Sequence, residues 1–338
     1  MTTMKPAVDH FRLGLLFAVS SAFSFGLSGP LAKSLMEAGW SPTAAVTARL
    51  AGGAVVMAIF ATIVRPNWFR EALQHYKTVV AYGLIPIAGA QLCYFNAVSH
   101  LSVGVALLLE YTAPVLVVAW LWATTRRRPS NLTLTGVAIA IAGIMLVLDV
   151  FSGGQINLVG IGWASAAAIC AACYFMMSDA VSADGTEEGS LNSITLAAGG
   201  LIVGSAAVAL LGASGVMPLT FATHDAVVAG WTTSWVVPAI ALAVIPTAIA
   251  YTLGIMGIAR LRPRFASLVG LSEVMFAVLA AWALLGEAMS PTQAVGGAVV
   301  LVGLVLARQG DRSEKVAQAS WPEMPAGEGP AEQTIRRS

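Results

Sequence analysis

The sequence predicts an all-α integral membrane protein: ten transmembrane helices, arranged as two inverted five-helix repeats around a central cavity. Three observations carry this. The 338 residues are 57% hydrophobic and only 10% charged, with a mean hydropathy of +0.79. Ordinary soluble domains are about 25% charged. The basic residues fall on one side of the apolar segments, and the second half of the chain repeats the first.

A spanning helix needs about 20 predominantly apolar residues. Such stretches lie near 13–34, 42–64, 78–98, 101–124, 132–150, 157–180, 190–212, 235–259, 264–286 and 291–308. Only a helix satisfies its own backbone hydrogen bonds in hydrocarbon, so strands are not expected within the spans. The start, "MKPAVDHFRLGLLFAVSSAFS", has the basic and apolar parts of a signal peptide. Further spans follow it, so it reads as an uncleaved first helix. The resulting organisation is a cytoplasmic N-terminus (1–12), a first repeat (13–150), a second repeat (157–308) and a flexible cytoplasmic tail (309–338). The tail is rich in Pro, Gly, Glu and Ser, a composition that buries too little apolar surface to fold.

Lys and Arg test the number of spans. If the spans alternate from a cytoplasmic N-terminus, all of the 18 basic residues except Lys33 and Arg49 fall on the cytoplasmic side. They run from Lys5 and Arg12 through Arg126, Arg127 and Arg128, then Arg260, Arg262 and Arg264, to Arg336 and Arg337. Lys33 and Arg49 lie inside spans. This positive-inside pattern places both termini in the cytoplasm. The loop "SADGTEEGS" (182–190) is cytoplasmic without a basic residue, which the rule tolerates because acidic residues contribute little to it.

A shift of 160 residues overlays Ala106 on Ala266, Leu108 on Leu268, Trp122 on Trp282, Gly136 on Gly296 and Gly143 on Gly303. Nearby shifts overlay Phe17-Ala18 on Trp163-Ala164 and Tyr94 on Tyr251. Each half holds an odd number of spans, so the halves enter the membrane from opposite sides. Inverted repeats are a transporter architecture, with the substrate site near the midplane where the repeats meet.

Charge inside a membrane is costly and marks function or a partner. Glu110 lies nine residues into the fourth span and Glu273 nine residues past Arg264 in the ninth. At 1.5 Å per residue both reach a depth of about 14 Å, near the midplane. The two glutamates could hold a substrate ammonium, carry coupling protons, or pair with Arg49 as a gate. A static Glu110–Arg49 pair that only joins helices is the structural alternative. Tyr94, Asn96, Tyr111, Trp163 and Tyr251 are candidate cavity residues, and Lys33 is a further one near the outer end of the first span. Lys33 corresponds to Asp179 under a shift of 146. Pro86, Pro246 and Pro114 are candidate kinks, because proline removes a backbone donor inside a helix. Trp40, Trp68 and Trp231, near span ends or in loops, fit an interfacial aromatic belt. Gly200 and Gly204, and the pair Cys170 and Cys173, read as small residues packing helix on helix.

Motifs and net charge argue against several function classes. There is no phosphate-binding G-K-[ST] loop, no G-x-S-x-G and no H-E-x-x-H, so no enzyme, no cofactor and no metal site is expected. A net charge of +1 gives no footprint for nucleic acid. Active transport by this chain would be secondary.

The segments "SVGVALLLEYTAPVLVVAWLW" (102–122) and "RLRPRFASLVGLSEVMFAVLAAWALLGEAMSPTQAVGGAVVLVG" (260–303) resemble the paired EamA repeats of the drug/metabolite transporter superfamily. The resemblance covers roughly 12–308. With "GPLAKSL" (29–35) and "VTARL" (46–50), the chain is most similar to the bacterial amino-acid exporters, the threonine/homoserine and aromatic amino-acid branch. Two departures stand out. Glu273 is followed by Val274, where second repeats of the family often carry proline. "TTRRR" (124–128) stands where many members have Gly-Glu, a feature that Glu287 keeps in the second half. The resemblance implies ten helices around a cavity and efflux of amino acids across the inner membrane. An exported amino acid needs an acceptor for its ammonium, which Glu110 or Glu273 could supply. It needs donors for its carboxylate, which Arg49, Tyr94 and Asn96 could supply. Efflux of another small metabolite or a drug-like cation is the alternative; from a different class, so is a membrane-embedded sensor or enzyme.

Overall fold

The computed structural model describes residues 6–126, 128–148, 157–184, 191–258 and 263–319. Lys5, Arg127, Arg260, Arg262, Arg336 and Arg337 of the charge pattern lie outside the described residues, as do positions 185–190 of the acidic loop and the tail beyond Ala319.

The first apolar segment is α1 (Pro6–Gly26) and α2 (Ser28–Glu37), separated at Leu27. Helix α3 (Pro42–Val64) follows, with proline in its first turn and Ser41 as its N-cap. That proline has no N–H to leave unsatisfied there. A short helix α4 (Trp68–Gln74) leads into α5 (Tyr76–Tyr82), a π-helical turn (Gly83–Gly89) and α6 (Ala90–Val98), which together make one segment. The next segment is α7 (Val103–Glu110) and α8 (Ala113–Thr125), and α9 (Asn131–Val147) closes the first half.

The second half begins with α10 (Leu158–Asp184) and α11 (Ser193–Ala213). A small antiparallel hairpin, β1 (Ala226–Val228) and β2 (Trp231–Thr233), follows. It lies in the connecting loop, outside the apolar segments, so the chain is helical wherever it is long and apolar. Ala229 and Gly230 both take positive φ, the backbone of a tight two-residue hairpin turn. Then come α12 (Val236–Ala243), a second π-helical turn (Val244–Ile249), α13 (Ala250–Ile258), α14 (Pro263–Leu285) and α15 (Pro291–Ala319). The last helix runs past 308, so the first part of the expected tail is helical.

Among the described residues, six helical segments are long and apolar enough to cross a membrane, and shorter apolar helices lie at Asn131–Val147, Leu158–Tyr174, Ser272–Leu285 and Pro291–Ala307. Helix α3 shows what surrounds them. Its exposed stripe is Val55, Ile59 and Ile63, 57–75% accessible, while its one charge, Arg49, is 4% accessible. A helix in water would place these the other way round.

The packing maps onto itself when the halves are exchanged. Helix α1 packs on α13 and α14, and its counterpart α10 packs on α6 and on α7 with α8. Helix α3 packs on α11, and α9 on α15. The loops follow the same rule. Ser41, which caps α3, gives its N–H to the Thr220 carbonyl and takes that of Thr220, each at 3.0 Å. Asn192, which caps α11, gives its N–H to Glu71 at 2.6 Å, and the Thr195 hydroxyl binds the same carboxylate at 2.9 Å. Each half's second long helix is therefore capped and then tied by the connecting segment of the other half, the loop at Thr220 for α3 and α4 with Glu71 for α11.

The α9–α15 contact fixes the relative direction of the halves. Gly136 meets Gly303 and Ala307, and Gly143 meets Gly296 and Val300. As numbers rise along one helix they fall along the other, so these two repeat-equivalent helices run antiparallel. A Cβ on Gly143 would lie 2.6 Å from the Val300 nitrogen and 2.9 Å from the Gly296 oxygen, both backbone atoms. We therefore expect Gly136→Val or Gly143→Val to force the helices apart at a cost of about 1–3 kcal/mol, the usual range for overpacking. Thermal unfolding of the purified protein in detergent checks this, and an unchanged midpoint would show that the seam is loose.

Gly200 and Gly204, read from the sequence as packing residues, meet Ile87 and the Gly83 carbonyl of the first π-helical turn. Gly53 meets Thr247 of the second turn in the same way. Cys170 of the second half faces Gly89 of the first. Two of the expected belt tryptophans are inside. Trp40 is 6% accessible, with its indole N–H on the Ala222 carbonyl at 2.7 Å; Trp68 is 7% accessible, donating to the Thr62 hydroxyl at 2.9 Å. Each found a protein acceptor for its one donor, so neither needs the interface. Trp231, at the hairpin, is 78% accessible.

Candidate functional site

A cavity of about 240 Å³ lies between the halves. Its walls come from both. Phe25 and Ser28 stand at the α1–α2 break, Arg49 on α3, Pro86 in the first π-helical turn, and Gln91 and Tyr94 on α6. Leu107, Glu110, Tyr111 and Pro114 come from the α7–α8 break, and Ala171 and Tyr174 from α10. Tyr251 comes from α13 and Glu273 and Ala277 from α14.

The breaks are what open this space. A π-helical turn inserts one residue into the helical ladder and re-aims the side chains that follow it. Pro86 and Pro246 sit inside the two π-helical turns, where their missing N–H leaves the ladder incomplete. Pro114 sits in the first turn of α8, so α7 ends at Glu110 and the chain bends through Tyr111 and Thr112.

Arg49 organises one wall. Its Nη1 donates to the Ser28 hydroxyl at 2.6 Å and to the Gln91 amide oxygen, and its Nη2 donates to the Pro246 carbonyl at 3.4 Å. Its guanidinium also lies 5.7 Å from the centre of the Phe95 ring. A Glu110–Arg49 ion pair, one of the sequence readings, is not formed, nor is a Glu273–Arg49 pair. The reason is geometric: neutral acceptors from three helical segments already surround the guanidinium.

The carboxylates differ in their support. Glu273 accepts a hydrogen bond from the Tyr111 hydroxyl at 2.7 Å, which ties α14 to the α7–α8 break across the halves. Glu110 makes no hydrogen bond or ion pair with the described residues. It is also the last residue of α7, at the negative end of the helix dipole. Phe25 packs edge-to-face on Tyr251, with centroids 5.1 Å apart.

Of the residues singled out from sequence, Glu110, Glu273, Arg49, Tyr94, Tyr111, Tyr251, Pro86 and Pro114 line the cavity. Asn96, Trp163 and Lys33 do not. The Asn96 amide turns back onto the Leu92 carbonyl of its own helix at 2.7 Å. Trp163 packs, half-buried, against the hydrophobic core. Lys33 pairs with Glu287. Pro246 reaches the site through its carbonyl on Arg49. Ser28, Gln91, Phe25 and Tyr174 were not anticipated. Gln91 had a signal: it lies three residues before Tyr94 and so shares its helix face.

Comparison with known proteins agrees with this architecture. The profile of the EamA-like transporter family matches residues 12–149 and 158–309, once for each half. The threonine/homoserine exporter RhtA of Escherichia coli (strain K12) is 27% identical over 281 residues, which cover 81% of this chain and 84% of that protein. The uncharacterized transporter YwfM of Bacillus subtilis (strain 168) is 24% identical over 318 residues, 90% of this chain and 97% of that one. One crystal structure shares the fold with a TM-score of 0.59 at 20% identity, covering 89% of this chain and 98% of that chain.

Proposed function

Because the chain belongs to the EamA-like transporter family, and is therefore a membrane transporter and not an enzyme, we propose that it exports amino acids across the bacterial inner membrane. Ten spans in two inverted repeats alternate access to the cavity between them, with both termini cytoplasmic. The observation that carries this reading is the charge arrangement of the cavity. Arg49 lies on one wall, and Glu110 and Glu273 come from other helices, none of them paired with another. A zwitterion matches such a site. Its carboxylate is held by Arg49 with the Tyr94 hydroxyl, and its ammonium by Glu110. Glu273, steadied by Tyr111, takes the second acidic position, for the substrate or for a coupling proton. Pockets for drug-sized ligands run to about 300–1,000 Å³. This cavity is below that range, and a fixed guanidinium opposes a simple cation, so the drug-like alternative is disfavoured. The apolar and aromatic walls tolerate several side chains, because such pockets discriminate weakly between similar groups. The likeness to the threonine/homoserine exporter RhtA supports the same substrate class.

Sealed proteoliposomes test the proposal. Labelled threonine, methionine and phenylalanine are expected to move faster than in protein-free vesicles. Repeating the assay with an imposed proton gradient separates facilitated diffusion from exchange with protons. If no amino acid crosses faster than in protein-free vesicles, the substrate assignment fails.

A further inference from the structure

We infer that Lys33 and Glu287 form the extracellular gate of the transport cycle, a charge pair that holds the outer end of the cavity shut here and separates when substrate leaves. The inference rests on the alternating-access reading above.

The pair joins the two halves. Lys33 on α2 binds the Glu287 carboxylate and donates to the Leu101 carbonyl at 3.3 Å. The other oxygen of Glu287 accepts the Val103 N–H at 3.1 Å. Val103 opens α7, and the Ser102 side chain gives that helix no cap hydrogen bond. A carboxylate from the second repeat therefore caps a helix of the first, where a negative charge is favoured. Losing Glu287 would free Lys33 and the start of α7 together.

Directly beneath the pair is a packed layer. A Cβ on Gly29 would meet Val103 and the Tyr94 hydroxyl, so α2 lies hard against both. Tyr94, Val103, Leu107 and Leu108 are at most 5% accessible, and Tyr94 and Leu107 also line the cavity. Tyr174 also lines the cavity and is 40% accessible. The end of the cavity with the ion pair is closed by the packed layer. By the charge pattern of the sequence the closed end is extracellular.

The pair itself is about one-fifth accessible, 19% for Lys33 and 20% for Glu287. Water reaches it, so its net hold is weak, as for other partly exposed pairs. That suits a contact that must open on every cycle and not a permanent brace. In the sequence, the repeat shifts carry Lys33 to an aspartate (Asp179) and Glu287 to an arginine (Arg127). The same two positions thus recur with their charges exchanged.

The test is a single reporter, Leu107→Cys, in a chain whose Cys93, Cys170 and Cys173 are replaced by alanine. A membrane-impermeant thiol reagent is applied to right-side-out and to inside-out vesicles. With the native pair, labelling from outside is expected to be slow. Glu287→Gln or Lys33→Met should raise the outside rate by about fivefold and lower the inside rate, a shift between two populations. Lys33→Arg, which keeps the charge, should stay close to native. Unchanged labelling in both neutral variants overturns the gate, and so does loss of folded protein in both, which would make the pair a brace. If only Lys33→Met fails to fold, Glu287→Gln decides. Labelling needs no substrate. Amino-acid efflux with unmoved labelling therefore sinks the gate alone, and shifted labelling with no amino acid transported sinks the exporter reading alone.

Discussion

Glu110→Gln is expected to cut amino-acid transport by a factor of ten to a hundred and leave the folded protein intact. The substitution keeps shape and volume and removes one negative charge. In this structure Glu110 contributes no hydrogen bond or ion pair to its neighbours, so the substitution should not destabilise the fold. Its position opposes folding in two ways: it is a charge within a membrane span, and it ends a helix at the negative pole. A charge-assisted hydrogen bond to a substrate ammonium is worth about 1.5–3 kcal/mol, which converts to the stated loss. Counterflow in proteoliposomes reads the transport, and thermal unfolding reads the stability. Wild-type counterflow across pH in the variant would remove Glu110 from both the substrate and the proton role.

Arg49 should behave differently. Arg49→Met is expected to lose transport and also to lower stability by about 2–4 kcal/mol, because the Pro246 carbonyl, Gln91 and Ser28 are left with unmet acceptors in a buried site. Arg49→Lys should recover part of the stability and little transport. A single ammonium cannot reach acceptors on three segments at once as a planar guanidinium does. Thermal midpoints for the three proteins should therefore rank native, Lys, Met, while transport separates native from the other two. A methionine variant as stable as native would show that the Arg49 hydrogen bonds are dispensable for folding.

These contrasting expectations could not be read from the sequence. It shows that Arg49, Glu110 and Glu273 lie within apolar segments, and the cost of such charges singles them out. It does not show which of them touch. The pairing of Arg49 with a glutamate is the simplest guess from charge alone. The guanidinium instead found a serine, an amide and a carbonyl, all neutral and common in membrane helices. Ser28 and Gln91 were missed for the same reason. Asn96 was misplaced through helix phase: it follows Tyr94 by two residues, which turns it to another face, where it satisfies itself on Leu92. Lys33 was noticed, but its partner lies 254 positions away and no local pattern announces it.

The fold was more legible. Segment positions follow from apolar length, and the prolines at 86 and 246 marked two of the interrupted helices, though not that the interruption there is a π-helical turn. The hairpin at Ala226–Thr233 escaped because it is short and lies in a loop. The α9–α15 seam was present in the sequence as Gly136, Gly143, Gly296 and Gly303, without any sign that the first of these would meet the last.

That seam has a consequence for the origin and tolerance of the chain. Gly136 of one half meets Gly303 of the other, while Gly143 meets Gly296. Each of these two contacts is carried into the other by exchanging the halves, which makes the interface isologous, the kind found at a two-fold axis between identical subunits. A half-length protein bearing this face would be complementary to an upside-down copy of itself. Fusing the two copies into one chain leaves the shared face under a double obligation, since each glycine serves both its own helix and its mate. Every position off that axis is released from it. Glu110 and Glu273 no longer overlay, and Lys33 faces an acid where its counterpart in the repeat is one. The site became asymmetric while its axle stayed symmetric.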